Sequence, residues 1–191
     1  MPRARVGATH WVQQRPEPLY DTRLGMVATW APTAGVAVGL AQGALDALVA
    51  LADRSSTGSP VPLGRRGQVQ QAVAEAEAIT GASRALCREA IGAAWAAVLD
   101  DGPDIERAAA RAQIAITHAM QESVRVVDRC FHAAGTNAIS SANRLERFLR
   151  DAHTAVQHAA GQSLHLRQAA QTLLGLDGGS GPAVGAPVAD R

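Results

Sequence analysis

The chain has 191 residues, enough for one domain with a buried core, and 47% of them are hydrophobic, which argues against wholesale disorder. Its 18 basic and 17 acidic side chains leave a formal charge of +1, so the basic field that nucleic-acid binding needs is missing. Cys87 and Cys130 are too few for a disulfide framework and fit no metal-ligand spacing, so both are expected to be small buried hydrophobes in a reducing, cytoplasmic setting.

Residues 1–23 carry Pro16 and Pro18 and no hydrophobic period, which predicts an extended lead-in. The charged start is followed by no apolar run of the secretory type. From Leu24 to Leu45 there is no charge, a length that meets the requirement for a membrane span. The run is mostly Ala, Gly and Thr with Pro32 and Gln42 inside it, poorer in Leu, Ile and Phe than insertion favours. A soluble helix from about Thr33 to Arg54 is expected instead, with Pro32 near its first turn and no membrane partner. Gly35, Gly39 and Gly43, spaced four apart, predict a groove that lets another backbone come close.

SSTGSPVPLG, residues 55–64, is a loop by composition. A second helix is predicted from Gln68 to Leu99, with Val69, Val73, Ala76, Ile79, Ala82, Leu86, Ala90, Ala94 and Val98 as its apolar stripe. DDGPD then turns the chain into a third helix, Pro103 to Ala134, with Gly135 as its C-cap. After the polar connection GTNAISSA, a fourth helix is predicted from Asn143 to about Leu174, opened by a capping box between Asn143 and Glu146. GLDGGSGPAVGAPVADR reads as a flexible tail. The expected organisation is a lead-in over 1–23, an all-α up-and-down four-helix bundle over 24–174 and a tail over 175–191.

The fourth helix carries the residues of most chemical interest. Leu145, Phe148, Leu149, Ala152, Val156 and Ala159 form its packing stripe, and Arg147, Asp151, Thr154, His158, Gln162 and His165 a polar one. On a continuous helix Asp151 and His158 lie two turns apart, about 10 Å along the axis. That places His158 on a polar face, available as a base near neutral pH; the bland alternative is a solvated surface histidine. His153, at the edge of the apolar stripe, reads as a hydrogen-bonded structural residue. Arg150 and Asp151 are expected to pair with Glu146 and Arg147, or to clamp a neighbouring helix or an anionic group. His118 and His165 have no assigned role, and no HxxxH or HExxH frame is present, so no metal is expected. GTNAISSA precedes a helix start, a place that favours phosphate.

AQGALDALVALADR, VVDRCFHAAGTNAISSANRLERFLRDAHTAVQHAA and the order of four helices resemble the carboxy-terminal domain of acyl-CoA dehydrogenase-like flavoenzymes. RDAHTAVQH is the most specific piece, and the nearest branch is the two-component flavin-dependent monooxygenases of the hydroxyphenylacetate hydroxylase and dibenzothiophene monooxygenase type. The resemblance implies a flavin cofactor, FMN or FAD, with reduced flavin delivered by a reductase. It implies an active-site role for His158, supported by Arg150, Asp151 and His153. It also implies that Gly135, Thr136, Asn137, Ser140 and Ser141 lie near the flavin of a neighbouring subunit, hence a homo-oligomer. The glutamate-bearing YEGT-like segment of the dehydrogenases does not occur, which favours the oxygenase branch. Family members carry an amino-terminal helical domain and a middle β domain before such a bundle. Their absence from this sequence implies a component working with a separate chain that supplies them, a truncated product, or a non-catalytic helical scaffold that kept the fold.

Overall fold

Two long uninterrupted amphipathic periods set the architecture, and the computed structural model, which describes residues 17–55, 58–139 and 143–176, builds everything else around them. The helices are α1 (Val27–Val49), α2 (Gly67–Leu99), α3 (Ile105–Ala134), α4 (Leu145–Ala155) and α5 (Ser163–Leu173), and no strand occurs among the described residues. α3 is central and packs against all four others. α2 and α3 form an antiparallel hairpin. Thr33 of α1 reaches Met120 of α3, Gln121 meets Ser163 at the start of α5, and Arg107 meets Leu173 at its end. α4 and α5 therefore run together as the fourth rod, antiparallel to α3.

The core is built from small residues. Ala44, Ala76, Ala94, Ala112 and Ala115 are completely buried, so neighbouring axes approach closely and ridges of alanine fill shallow grooves. The larger buried side chains are few, among them Leu48, Leu63, Ile105, Ile116, Met120 and Leu145. Each contributes on the order of 1.5–3 kcal/mol.

Several expectations are corrected. α1 starts at Val27 rather than Thr33 and ends at Val49 rather than Arg54, so Pro32 lies inside it. An interior proline costs about 3 kcal/mol. Burial of Val27 and Trp30 ahead of it is worth about as much or more, which keeps the first turn helical. α1 is long and apolar enough to cross a membrane by composition. Its face of Val27, Trp30, Ala34, Ala37, Ala41, Ala44, Leu45 and Leu48 is nevertheless packed within the bundle. Of the three spaced glycines, only Gly43 is a close approach: a Cβ there would meet the Phe148 ring of α4 at 2.6 Å, while Gly35 and Gly39 face open space.

α2 matches its predicted bounds but not its whole stripe. Its middle buries Thr80, Ser83 and Cys87 where Ile79, Ala82 and Leu86 were expected, and Leu86 is exposed. The smaller side chains let α2 settle closer to α3, and the Cys87 thiol donates to the Ala115 carbonyl at 3.3 Å. Of the predicted lead-in, residues 1–16 lie outside the described residues, and the described part is not extended. Pro18–Tyr20 and Thr22–Leu24 are short 3-10 turns, Leu24 is buried, and the Arg23 guanidinium bridges Asp21 at 2.6 Å and Asp101 in the α2–α3 turn at 2.7 Å. That contact holds the Asp21 carboxyl below its ordinary value. The Asn143 side chain caps the backbone N–H of Leu145 at 2.7 Å, not that of Glu146, and Glu146 turns to Arg150 instead of closing a capping box. Gly135 does end α3, at φ +57°. The tail beyond Leu176 lies outside the described residues.

Both cysteines are buried and free, as expected. Burial pushes the Cys87 thiol from 9.0 up to about 11 and the Cys130 thiol up to about 12. A group whose pKa is raised by folding holds its proton in the native state at a pH where the unfolded chain has lost it. Its contribution is therefore complete below about pH 9 and is lost as pH climbs through about 11–12. Urea midpoints should fall across that window, and a Cys87→Ala/Cys130→Ala double variant should show a flatter decline. At neutral pH both thiols should resist a thiol reagent until the chain is unfolded.

Candidate functional site

The predicted fourth helix does not run through. α4 ends at Ala155, and the chain turns through Gln157 and His158, whose N–H groups donate to the Thr154 and Ala155 carbonyls. Ala159–Gly161 then form one 3-10 turn before α5 begins at Ser163. Gln121 of α3 fastens this break: its amide donates to the Gly161 carbonyl at 3.0 Å and to the Ser163 hydroxyl at 3.3 Å. Gly161 is buried, and an added Cβ would collide with the Val156 carbonyl oxygen, so only glycine lets the chain fold back this tightly.

The break places His158 at the cap of the 3-10 turn rather than on a polar stripe with Asp151 and Arg147. Its Nδ1 accepts the Ala160 N–H at 3.2 Å. In the neutral ring the proton therefore sits on Nε2, which has no partner among the described residues. The indole of Trp30, buried in α1, lies edge-on to His158 at 6.1 Å between centroids and to His165 of α5 at 4.6 Å. His165 donates from Nδ1 to the Gln168 amide oxygen at 2.9 Å. One tryptophan thus braces two imidazoles where α1, α3, the break and α5 meet, with His158 on the exposed side.

The other expected site residues lie elsewhere. Arg147 pairs with Asp151 at 3.5 Å and Arg150 with Glu146 at 2.8 Å, the i, i+4 surface pairs that the sequence suggested. His153 donates from Nε2 to the Asp128 carboxylate at 2.9 Å and ties α4 to α3, the structural role expected of it. Asp128 also receives the His132 ring on its backbone carbonyl at 2.6 Å. Gly135, Thr136 and Asn137 sit in a 3-10 turn, Gly135–Ile139, just past α3. Among the described residues the Asn137 amide makes one long bond, 3.5 Å to the Ala134 carbonyl. Ser140 and Ser141 lie outside the described residues. Between Gln121, level with His158, and Gly135 the axis of α3 rises about 20 Å. One copy of the chain therefore does not bring the two groups of site residues together.

Trp30, Gln121 and Gly161 were not singled out by sequence, and His165 was given no role. Gly161 followed by Gln162 and Ser163 is a stop and start signal in the middle of a periodic segment, and it was the legible clue to the break.

The sequence model of the family described as acyl-CoA dehydrogenase, C-terminal domain, matches residues 31–163, which includes the turn bearing His158. Comparison with curated protein sequences gives no match. Among solved structures, the 3-HSA hydroxylase from Rhodococcus sp. RHA1 superposes with a TM-score of 0.71 at 20% identity, covering 94% of this chain and 43% of that one. XiaF from Streptomyces sp., solved with FADH2 and glycerol, gives 0.73 at 21% identity, covering 83% of this chain and 40% of that one. Dibenzothiophene monooxygenase from Paenibacillus sp. A11-2 gives 0.66 at 19% identity, covering 83% and 40%. At these identities the likeness shows the fold, and the chain spans less than half the length of each.

Proposed function

The chain belongs to the acyl-CoA dehydrogenase C-terminal domain family, and from that premise we propose that it is the helical component of a flavin-dependent oxidoreductase of the monooxygenase type. The observation that carries this reading is His158. It sits on a turn made rigid by Gln121 and Gly161, with Nδ1 engaged and Nε2–H free. Such a group is built to offer a hydrogen bond at a fixed point.

The Asn137 amide and the backbone of the Gly135–Ile139 turn would offer donors to one edge of a flavin, with Gly135 itself presenting no side chain. The remaining walls would come from a polypeptide carrying an amino-terminal helical domain and a β domain, with a flavin reductase supplying reduced FMN or FAD. Bound reduced flavin supplies the electrons that activate oxygen. His158 would orient an oxygen of the substrate by a hydrogen bond from Nε2–H, on an aromatic ring as in the branch the sequence resembles. Because His158 and the Gly135 turn stand about 20 Å apart, they would serve flavins of different subunits, which favours a homo-oligomer.

A second reading, a non-catalytic helical scaffold, is favoured by the exposure of His158. Titration of FMN and of FAD separates the two. Quenching of flavin fluorescence is expected when the chain is mixed with such a partner polypeptide. Its absence with both flavins, with the partner present, would leave the scaffold.

A further inference from the structure

Trp30 braces two imidazoles, and only His158 has a role in the reaction proposed for the site. His165 stands in the first turn of α5, two residues past the Ser163 hydroxyl that Gln121 holds, and its backbone N–H donates to the Gln162 carbonyl at 3.1 Å. Its ring is half-buried and packs against the Trp30 indole at 4.6 Å with 71° between the planes. Trp30 itself is buried in α1, so a core side chain sets the plane of the His165 ring.

The two imidazoles carry their protons in opposite senses. On His158 the Ala160 N–H occupies Nδ1 and leaves the proton on Nε2. On His165 the Gln168 amide oxygen accepts from Nδ1, which therefore holds the proton and leaves Nε2 bare. Neither Nε2 has a partner among the described residues. One ring offers a donor, the other an acceptor, and both contact the same indole, at 6.1 Å and 4.6 Å between centroids. A hydroxyl both gives and takes a hydrogen bond, so it satisfies the pair where an ether or a carbonyl would satisfy only His158. Two rings that share one indole are close enough for a hydroxyl held by His158 to reach His165 directly or through one water. The rings also differ in what a second proton does. At His158 it sets Nδ1–H against the Ala160 N–H, whereas at His165 Nδ1 is already the donor, and its bond to Gln168 survives.

We propose that His165 is the general base of the site and takes the proton of a substrate hydroxyl that His158 holds. The O–H bond breaks, its electron pair stays on the oxygen, the proton moves to Nε2 of His165, and Nε2–H of His158 faces the oxyanion. This rests on the oxidoreductase reading for its substrate, a hydroxyl on an aromatic ring, but the protonation pattern needs neither flavin nor partner. Long-range nitrogen–proton correlation spectra of the full chain in alkaline buffer should show Nδ1–H at His165 and Nε2–H at His158, each assigned by its loss in His165→Gln or His158→Gln. Nε2–H at His165 overturns the proposal and leaves the reading of His158 intact; Nδ1–H at both rings overturns that reading and the proposal with it. In the complex reconstituted with the partner polypeptide and reduced flavin, His165→Ala should lower turnover of phenol by about 10²–10⁴-fold. Turnover of para-nitrophenol, whose hydroxyl is already ionised in that buffer and needs no base, should fall by less than about 10-fold. Equal losses on the two phenols would mean a ring that only supports the fold, and no loss on either would mean a ring outside the reaction; both results overturn the proposal.

Discussion

Gly161→Ala should destabilise the chain by roughly 3 kcal/mol, the upper part of the range for overpacking, and should do so through backbone rather than side chain. The new methyl has nowhere to go. It would strike the Val156 carbonyl oxygen, a backbone atom fixed by the end of α4, and would also crowd the Val156 side chain. Relief requires the 3-10 turn to open. Opening it would loosen the bond from the Gly161 N–H to the His158 carbonyl and the two bonds from Gln121. Because Gly161 does not adopt a positive φ, alanine carries no intrinsic conformational penalty there, and the cost is steric. Gly39→Ala gives the opposite sign. That position is helical with open space around the missing Cβ, so the substitution should stabilise by up to about 1 kcal/mol. Urea midpoints of the two variants should fall on opposite sides of the parent. Equal midpoints would mean that the break between α4 and α5 is soft.

The hairpin of α2 and α3 was legible because each has a long unbroken period, and both ends of α3 carry punctuation, Pro103 before it and Gly135 after it. The middle of α2 was misread by one position. Hydrophobicity favours Ile79 and Leu86 for the core, but the bundle is an alanine bundle, and close axial approach selects Thr80, Ser83 and Cys87. The same rule hid the break in the fourth rod. Ala159 and Ala160 are good helix formers and continue the apolar stripe, so periodicity runs straight through a turn that Gln121, from a helix forty residues away, holds in place. Long-range partners were invisible for the same reason. Nothing near Trp30 or His165 in sequence says that they meet, and only the parallel run of α1 and α3 with α5 laid between them brings the rings to 4.6 Å. The resemblance located the family. Periodicity supplied the wrong local geometry for that turn.

Replacing His158 should separate two roles that its ring combines. Nδ1 caps the 3-10 turn by accepting the Ala160 N–H, and Nε2–H is free to act on a ligand. Asparagine offers an oxygen near the position of Nδ1 and nothing at Nε2. Glutamine reaches toward Nε2 with an amide N–H and leaves the cap unfilled. Alanine supplies neither. In the complex reconstituted with the partner polypeptide and reduced flavin, His158→Ala should lower turnover by about 10²–10⁴-fold, the range for loss of a positioned proton-transfer group. His158→Asn should fold as stably as the parent, because side-chain oxygen caps are worth about 1 kcal/mol, yet be nearly as inactive as the alanine variant. His158→Gln decides the chemistry. If Nε2–H only orients a substrate oxygen, glutamine recovers much of the rate; if it passes its proton on, glutamine recovers almost none, since an amide does not release one. Acting as a base or as an acid breaks the cap. A base needs Nε2 unprotonated and an acid needs the imidazolium, so either role puts a proton on Nδ1, which then faces the Ala160 N–H donor to donor. Turnover that persists in all three variants would remove His158 from the reaction and leave the turn with a structural role.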